Sequence, residues 1–332
     1  KDLMLLMSTS GTTGSPKFVR QSYLNVLSNT KEIIKYLNIK SQDITITSLP
    51  ISYVYGLSVI NIHLLTGATI VLTNSSMVEK KFWDLIATFK VNNFSGVPYN
   101  YSIIEKISKK GLPSSLKYTT QAGGKMNRIL IKNIINIYKK HEIKLIQMYG
   151  AAEATSRMSY LNWKYADKKI GSIGKPIPGG SFYLIDKKEK KFKKKFKKGE
   201  LVYQGKNVCM GYAESLRDLS LPDLNKGLLK TGDIAYKDNN GFYFIVGRKN
   251  RYTKIYGIRV DLSELESILS KRDIDVIMKE GDENKIDVYS KNSLKIKEGI
   301  KYISKVTSLN ANIFIIKILS KKNLTNNFKY KL

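Results

Sequence analysis

The residues best suited to bind an anion lie near the start of the chain, in a loop rich in hydroxyls and glycines. Residues 8–17 read STSGTTGSPK. The apolar run Leu3 to Met7 precedes this loop like a buried strand, and apolar residues at helical spacing occupy residues 22–37 after it. A strand, a glycine-containing loop and a helix direct backbone N–H groups at an anion, and glycine lets the backbone approach closely. The stretch therefore predicts a phosphate site.

The spacing of this loop differs from that of the common P-loop. Two residues rather than four separate Gly11 from Gly14, and Phe18 follows Lys17. The loop instead closely resembles the signature phosphate loop of the adenylate-forming superfamily, which comprises acyl-CoA synthetases, adenylation domains of peptide synthetases, and luciferases. That family usually has glycine where Phe18 stands. The resemblance implies that ATP contacts the loop residues Thr9, Ser10, Gly11, Thr12, Thr13, Gly14 and Lys17.

Two further segments resemble family motifs around the substrate. The segment SLPISYVYGL places Tyr53 where the family often has histidine, and the resemblance implies that this residue lines the acyl pocket. A buried tyrosine that satisfies one hydrogen bond is the alternative interpretation. The segment YTTQAGGKM breaks into Gly123 and Gly124, and the corresponding turn of the family packs beside adenine and the acyl group. We therefore expect both glycines at the nucleotide site.

A third segment, QMYGAAEA, resembles the Tyr-Gly-x-Thr-Glu motif of the family and follows a predicted strand. The resemblance implies that Tyr149 stacks on adenine and that Gly150 lets the ligand approach the backbone. Glu153 would be a catalytic residue that holds Mg²⁺ against the phosphates, since magnesium prefers carboxylate and phosphate oxygens. Ala152 replaces the threonine of the family, and we expect it to line the acyl pocket together with Ala151.

The remaining motifs lie in the C-terminal part of the chain. By resemblance, Asp233 binds the ribose hydroxyls, Arg248 contacts ribose or phosphate, and Asn250 occupies the hinge. Lys329 belongs to the terminal motif, in which Phe328 replaces the usual glycine. The resemblance implies that Lys329 is catalytic and reaches the α-phosphate and the carboxylate during adenylation. A frayed surface lysine is the alternative.

The alternation of short predicted strands with helices favours α/β layering. The resemblance implies a layered αβα large domain of adenylate-forming type over residues 1–249 and a small, mobile α+β domain over residues 250–332. Family members normally carry a front subdomain before the phosphate loop, so we expect a large domain truncated at its N-terminus. The chain would then pair with a separate N-terminal fragment, represent a minimal form, or have lost activity. The last alternative is the least expected, because the phosphate-loop residues are intact.

Composition limits the class of protein. The 332 residues are 42% hydrophobic, which is typical of a globular protein, and include 57 Lys and Arg against 27 Asp and Glu. No apolar stretch approaches the roughly 18 residues of a membrane span. The run Leu3 to Met7 is too short for a signal-peptide core. Cys209 is the single cysteine, so an internal disulfide is excluded. We therefore expect a cytoplasmic protein.

The net charge of +30 attracts polyanions, which leaves nucleic acid or an anionic membrane face open as partners. The alternative is that lysine simply dominates the solvent-facing positions. One run stands out, KKEKKFKKKFKK at residues 187–198, between strand-like segments at 182–185 and 200–204. Those flanks predict a β-hairpin with a solvated tip.

The family resemblance implies ATP- and Mg²⁺-dependent activation of a small-molecule carboxylate to an acyl-adenylate, with release of pyrophosphate. Transfer of the acyl group to the thiol of CoA would follow, as in an acyl-CoA synthetase. One alternative is an adenylation domain that loads the pantetheine of an acidic carrier protein. Another is a non-catalytic polyanion-binding protein on the same scaffold, although we do not expect nucleic acid as a partner.

Overall fold

A computed structural model describes residues 3–8, 17–249, 251–255, 258–282, 284–290, 293–307 and 309–319. The helices of these residues are Tyr23–Leu37 (α1), Val54–Thr66 (α2), Lys80–Thr88 (α3), Pro98–Ile107 (α4), Arg128–Lys140 (α5), Leu262–Ser270 (α6) and Ser293–Thr307 (α7). The strands are Leu3–Ser8 (β1), Phe18–Ser22 (β2), Ile44–Ile46 (β3), Thr69–Val71 (β4), Asn93–Gly96 (β5), Tyr118–Gln121 (β6), Lys144–Tyr149 (β7), Ser159–Leu161 (β8), Lys175–Pro176 (β9), Gly180–Ile185 (β10), Lys191–Phe192 (β11), Gly199–Gly205 (β12), Tyr212–Ala213 (β13), Leu228–Lys237 (β14), Tyr243–Arg248 (β15), Tyr252–Ile255 (β16), Ile258–Asp261 (β17), Ile277–Glu280 (β18), Ile286–Ser290 (β19) and Phe314–Ile318 (β20).

A seven-stranded sheet with the order β4-β3-β5-β6-β7-β8-β9 forms the centre of the fold. The strands from β4 to β7 are parallel, whereas β8 and β9 run antiparallel to their neighbours. Parallel strands need crossover helices, and α2, α3, α4 and α5 supply them. Buried side chains of α3, α4 and α5, including Phe82, Tyr101 and Ile134, build the main core against this sheet. The predicted α/β class is confirmed.

Two smaller sheets carry the rest of residues 3–249. The five-stranded sheet β11-β10-β12-β14-β15 is antiparallel throughout. Strands β10 and β12 pair as the flanks of the lysine run predict, with Ile185 opposite Glu200. The run itself is more than a solvated tip, because it contains β11, which pairs with the other edge of β10. The three-stranded sheet β1-β2-β13 is also antiparallel. Within the described residues, no helix is both long and apolar enough to cross a bilayer.

The C-terminal elements build a core of their own. The antiparallel pair β18–β19 continues in parallel into β20, and α6 and α7 pack on this sheet. The buried members of the cluster, from Ile255 to Phe314, all come from this part of the chain. Helix α6 also contacts β15, and the backbone N–H of Arg248 donates to Ser263 Oγ at 3.2 Å.

The structure corrects two expectations about the first residues. The run Leu3 to Met7 does form a strand, but Met7 alone is buried, and Met4 and Leu6 are 38% and 41% exposed. An apolar run does not distinguish a central strand from a strand such as β1, which lies at the end of its sheet. In addition, the phosphate loop joins β1 to β2 and does not open the helix. Helix α1 begins one strand later, where the Ser22 side chain caps it.

Candidate active site

Among the predicted site residues that the structure describes, most lie at the carboxyl ends of the parallel strands or in the loops that follow them. Strand β3 leads to the loop before Tyr53, β6 leads to Gly123 and Gly124, and β7 ends at Tyr149. Carboxyl ends of parallel strands meet at one edge of a sheet, and α/β proteins bind ligands in the crevice outside that edge. The topology therefore gathers residues that lie about a hundred positions apart in the sequence.

A carboxylate, a phenol and a guanidinium meet where β14 and β15 approach the end of β7. Asp233 lies opposite Arg248 in the β14–β15 register, and Arg248 Nε donates to Asp233 Oδ1 at 2.7 Å. The Tyr149 hydroxyl donates to Asp233 Oδ2 at 2.5 Å. Asp233 is buried, whereas the Arg248 side chain is exposed. Because each carboxylate oxygen has more than one lone pair, Asp233 can still accept hydrogen bonds from a vicinal diol.

Both partners of Asp233 are held as hydrogen-bond donors. Burial, and secondly the charge of Asp233, raises the pKa of Tyr149 well above its ordinary value, so the phenol keeps its proton at neutral pH. The Asp233 carboxylate also raises the pKa of Arg248. The two donors therefore fix the orientation of the carboxylate across the physiological pH range.

A second group of polar side chains surrounds Glu153, in the turn directly after β7. The Tyr212 hydroxyl donates to Glu153 Oε1 at 2.7 Å. Because Tyr212 pairs with Val19 of β2, this contact brings Glu153 beside the strand that follows the phosphate loop. Immediately before that strand, Lys17 Nζ forms an ion pair with Glu214 Oε1 at 2.7 Å. The predicted magnesium ligand and the predicted phosphate lysine therefore lie at the same part of the molecule.

The donor set around Glu153 fits a magnesium ion only together with phosphates. Within the described residues, no group of three or more His, Cys, Asp or Glu side chains could hold a metal ion. Mg²⁺ usually binds through one or two carboxylates plus substrate phosphates and waters, without a cage built wholly from protein. A single partly exposed carboxylate next to a predicted phosphate loop meets that requirement.

The Gly-Gly turn and Tyr53 lie in direct contact. Gly123 has φ of +79°, and a Cβ placed on it would come within 2.5 Å of the Tyr53 hydroxyl oxygen. Burial raises the pKa of Tyr53 to about 12. Gly124 faces the ring of Pro98, where a Cβ would lie 3.3 Å from Pro98 Cγ. The two predicted substrate-side motifs thus form one continuous wall.

The two alanines of the motif face different neighbours. Ala151 packs against the cluster that contains Phe182 and Tyr203, whereas Ala152 packs beside Val19 and Cys209. The Ala152 carbonyl also accepts a hydrogen bond from Gln21 Nε2 at 2.8 Å. A shared acyl-pocket role for both alanines stays a prediction.

Gly150 has a reason to be glycine that does not involve a ligand. A Cβ on Gly150 would lie 1.7 Å from the carbonyl oxygen of Ser156, so any larger residue would force the turn between residues 150 and 156 apart. The expected approach of a ligand to this glycine stays a prediction, because contacts within the protein already require glycine here.

Several predicted site residues lie outside the described residues. These are the loop residues Thr9, Ser10, Gly11, Thr12, Thr13 and Gly14, the hinge residue Asn250 and the catalytic candidate Lys329. Among the described candidates, direct contacts join Tyr149, Asp233 and Arg248 at one place and Tyr53 and Gly123 at another, and Glu153 lies in the turn after Tyr149.

Sequence reasoning missed two residues that shape the site. Tyr212 holds Glu153 from 59 positions away, and no local pattern links the two. Arg157 is fully buried, lies 4.1 Å from the ring centroid of Tyr55, and donates through Nη1 to Ser58 Oγ at 2.5 Å. A lone arginine four residues after a motif carries no signature, so only the structure reveals this support behind the substrate-side wall.

Comparison with protein families identifies the class to which a chain with this fold belongs. A model of the AMP-binding enzyme family matches residues 1–213. The chain belongs to the AMP-binding enzyme family, which confirms the predicted adenylate-forming resemblance.

The similar curated proteins include enzymes named as CoA ligases. The chain is 29% identical over 267 residues to the 2-succinylbenzoate–CoA ligase of Bacillus subtilis (strain 168), covering 80% of this chain and 52% of the relative. It is 26% identical over 278 residues to 4-coumarate–CoA ligase-like 6 of Arabidopsis thaliana, covering 81% of this chain and 48% of the relative. The chain thus spans about half the length of these relatives.

Solved structures show the same fold. O-succinylbenzoate coenzyme A synthetase from Bacillus subtilis in complex with AMP superposes with a TM-score of 0.76 at 23% identity, covering 98% of this chain and 67% of the other. McyG A-PCP complexed with phenylalanyl-adenylate gives a TM-score of 0.74 at 20% identity, covering 100% of this chain and 57% of the other.

Proposed function

We propose that the chain activates a small-molecule carboxylic acid with ATP, forming an acyl-adenylate and pyrophosphate. The thiol of CoA then attacks the acyl carbon of the adenylate, which forms the thioester and releases AMP. The observation that carries this proposal is the buried Asp233 carboxylate, oriented by Tyr149 and Arg248 at the carboxyl edge of the sheet. The similar proteins support it, since they are named CoA ligases or were solved with AMP or an acyl-adenylate.

In the proposed reaction, a substrate carboxylate oxygen attacks the α-phosphorus of ATP, and the bond to the pyrophosphate oxygen breaks. Little covalent chemistry is required of the protein, so positioning and charge stabilisation supply the catalysis. Asp233 accepts the ribose hydroxyls, and Tyr149 presents its ring to adenine. Lys17 and the loop residues Thr9 to Gly14 neutralise the β- and γ-phosphates, while Lys329 stabilises the charge at the reacting centre.

Glu153 is the residue proposed to hold the magnesium ion. When bound, Mg²⁺ neutralises phosphate charge and orients the pyrophosphate leaving group. The hydrogen bond from Tyr212 to Glu153 Oε1 leaves Oε2 available as a ligand and fixes the carboxylate toward β2. Tyr212 is therefore proposed as a positioning residue for this carboxylate.

The thiol step is proposed to use a second orientation of residues 250–332 relative to residues 1–249, with Asn250 at the hinge. A separate core from Ile255 to Phe314 supports that division. Lys249 Nζ pairs with Glu200 Oε2 at 2.7 Å, immediately before the hinge position. CoA is the proposed acceptor. A carrier-protein pantetheine is the alternative, and the likeness to McyG A-PCP favours testing it.

A separate N-terminal segment is a further proposed partner. Strand β1 and the start of α1 expose large apolar side chains, among them Leu6 at 41%, Tyr23 at 59% and Leu24 at 61%. Strand β1 pairs with β2, which leads directly into α1, so these exposed apolar side chains lie on adjoining elements. Exposed apolar side chains on one face are typical of interaction sites, and the relatives have roughly as much chain again as the matched part. We propose that such a segment packs here.

The ribose assignment is tested by AMP binding to an Asp233→Asn variant. Asparagine keeps the shape of the side chain but loses one acceptor and the negative charge, so we expect binding to weaken at least about tenfold, as for a lost charged hydrogen bond. Isothermal titration calorimetry with AMP measures this. Asp84→Asn, on the exposed face of α3, is the matched control and should bind like the wild type. Equal AMP affinity for wild type and Asp233→Asn would contradict the assignment.

A further inference from the structure

The lysine-rich segment 187–198, which we call the basic tip, is left unexplained by the proposed function. It connects the antiparallel strands β10 and β12 and includes the short strand β11, which pairs with β10. The tip contains one glutamate and nine lysines, and every lysine is exposed, at positions 187, 188, 190, 191, 193, 194, 195, 197 and 198. Sequence alone predicts a solvated hairpin end, but the arrangement of its side chains is typical of a binding surface.

The carboxylates at the base of the basic tip are engaged by partners of their own, so they do not neutralise the lysines of the tip. Glu189, the one acidic residue of the tip, pairs through Oε1 with Lys230 Nζ at 2.7 Å. Asp186, just before the tip, accepts the backbone N–H groups of residues 188 and 190, each at 2.9 Å. The Lys197 ammonium lies 4.5 Å from the ring centroid of Phe192. The two carboxylates therefore bind partners at the base, and the outer turn presents lysines 193–195.

An apolar side chain lies among these charges. Phe196 is 56% exposed and adopts φ of +58°, which places it in a tight turn flanked by lysines. Its backbone N–H donates to the Lys237 carbonyl at 2.9 Å, which fixes that turn on the end of β14. The Phe196 ring centroid lies 5.9 Å from that of Tyr236. One large apolar side chain, near Tyr236 and more than half exposed, thus lies among the lysines of the basic tip.

We propose that the basic tip docks on an anionic lipid bilayer, with its lysines at the headgroups and Phe196 at the acyl boundary. Each lysine near a negatively charged leaflet contributes about fivefold to partitioning, so a cluster of this size suffices for reversible binding. An apolar side chain beside a polybasic patch adds the second signal that stable peripheral binding requires.

The same contacts disfavour single-stranded nucleic acid as the partner. Such ligands bind along grooves in which aromatic faces are free to stack on successive bases. Here the ring centroids of Tyr236 and Phe244 stack 5.0 Å apart, and the Lys197 ammonium lies over Phe192. Of these rings and Phe196, Phe196 alone is mostly exposed, whereas stacking on successive bases needs several free rings.

The test is sedimentation of the full chain with phosphatidylcholine vesicles that contain about 30% phosphatidylserine, compared with pure phosphatidylcholine, near physiological salt. We expect binding to the anionic vesicles only. The K193Q/K194Q/K195Q variant should bind them at least about tenfold more weakly, and Phe196→Ala about threefold more weakly. K297Q/K301Q/K305Q, which removes the same charge from the exposed face of α7, is the matched control and should bind like the wild type.

Three results would overturn the proposal. The first is equal binding to both kinds of vesicle, and the second is an equal loss of binding in the α7 control. The third is tighter binding of a single-stranded oligonucleotide than of anionic vesicles, with vesicle binding unaffected by Phe196→Ala. That last pattern would identify the basic tip as a nucleic-acid site.

Discussion

A Glu153→Gln variant is expected to lose carboxylate-dependent ATP–pyrophosphate exchange by about 100-fold or more, because the metal would lose its charged protein ligand. Glutamine is nearly the same size and keeps an oxygen that can accept the hydrogen bond from Tyr212. The loss should therefore come from charge and not from a disturbed turn. Raising the magnesium concentration should restore part of the activity, since a weakened site fills at higher metal concentration.

Glu105→Gln provides the matched control for this prediction. Glu105 lies outside the site motifs and accepts a hydrogen bond from Asn133 Nδ2 at 2.6 Å. This second isosteric change removes the same charge and keeps the same kind of contact, so exchange should be unchanged. Unaltered exchange and unaltered magnesium dependence in Glu153→Gln would remove Glu153 from the proposed metal site.

A Lys329→Ala variant is expected to abolish adenylate formation while sparing thioester formation from a supplied acyl-adenylate. The proposed role of the ammonium is to stabilise charge that develops on the α-phosphate, and such donors contribute about 100- to 1000-fold. The second half-reaction no longer needs that charge stabilised. Separate assays of pyrophosphate exchange and of CoA thioester formation from the acyl-adenylate measure the two steps.

Lys331→Ala is the control for Lys329→Ala, since it removes a lysine two residues away in the same C-terminal segment. It should leave both half-reactions intact. A loss of both half-reactions in Lys329→Ala, by the same factor, would indicate a structural contribution of the segment and contradict the assigned role.

Local patterns in the sequence predict the elements well where periodicity and end signals agree. Apolar spacing over residues 22–37 gives α1 within one residue, because Ser22 caps it. The strand-like flanks of the lysine run give the β10–β12 hairpin. The order of the motifs predicts the candidate site, because three motifs follow β3, β6 and β7 of the central sheet, whereas Asp233 and Arg248 lie within β14 and β15.

Contacts between distant segments could not be predicted in this way. Tyr149 and Asp233 are 84 residues apart, and their hydrogen bond exists because β7 ends beside β14. The partial exposure of β1 depends on its place at the end of a sheet, which its apolar sequence does not encode. At Gly150 the sequence motif suggests that a ligand requires the glycine. The structure gives another reason, because a side chain here would collide with the backbone of Ser156.

Carboxylate-dependent ATP–pyrophosphate exchange with the purified 332-residue chain tests the proposed adenylation most directly. A panel of short, long and aromatic acids and of amino acids would identify the substrate class. The exchange assay reports adenylation alone, so it requires no choice of thiol acceptor. We predict exchange with one class of acid, and Asp233→Asn should reduce it. No exchange but intact AMP binding would indicate that the proposed N-terminal segment must be added. No exchange and no nucleotide binding, together with salt-dependent binding of polyanions, would contradict the enzymatic account.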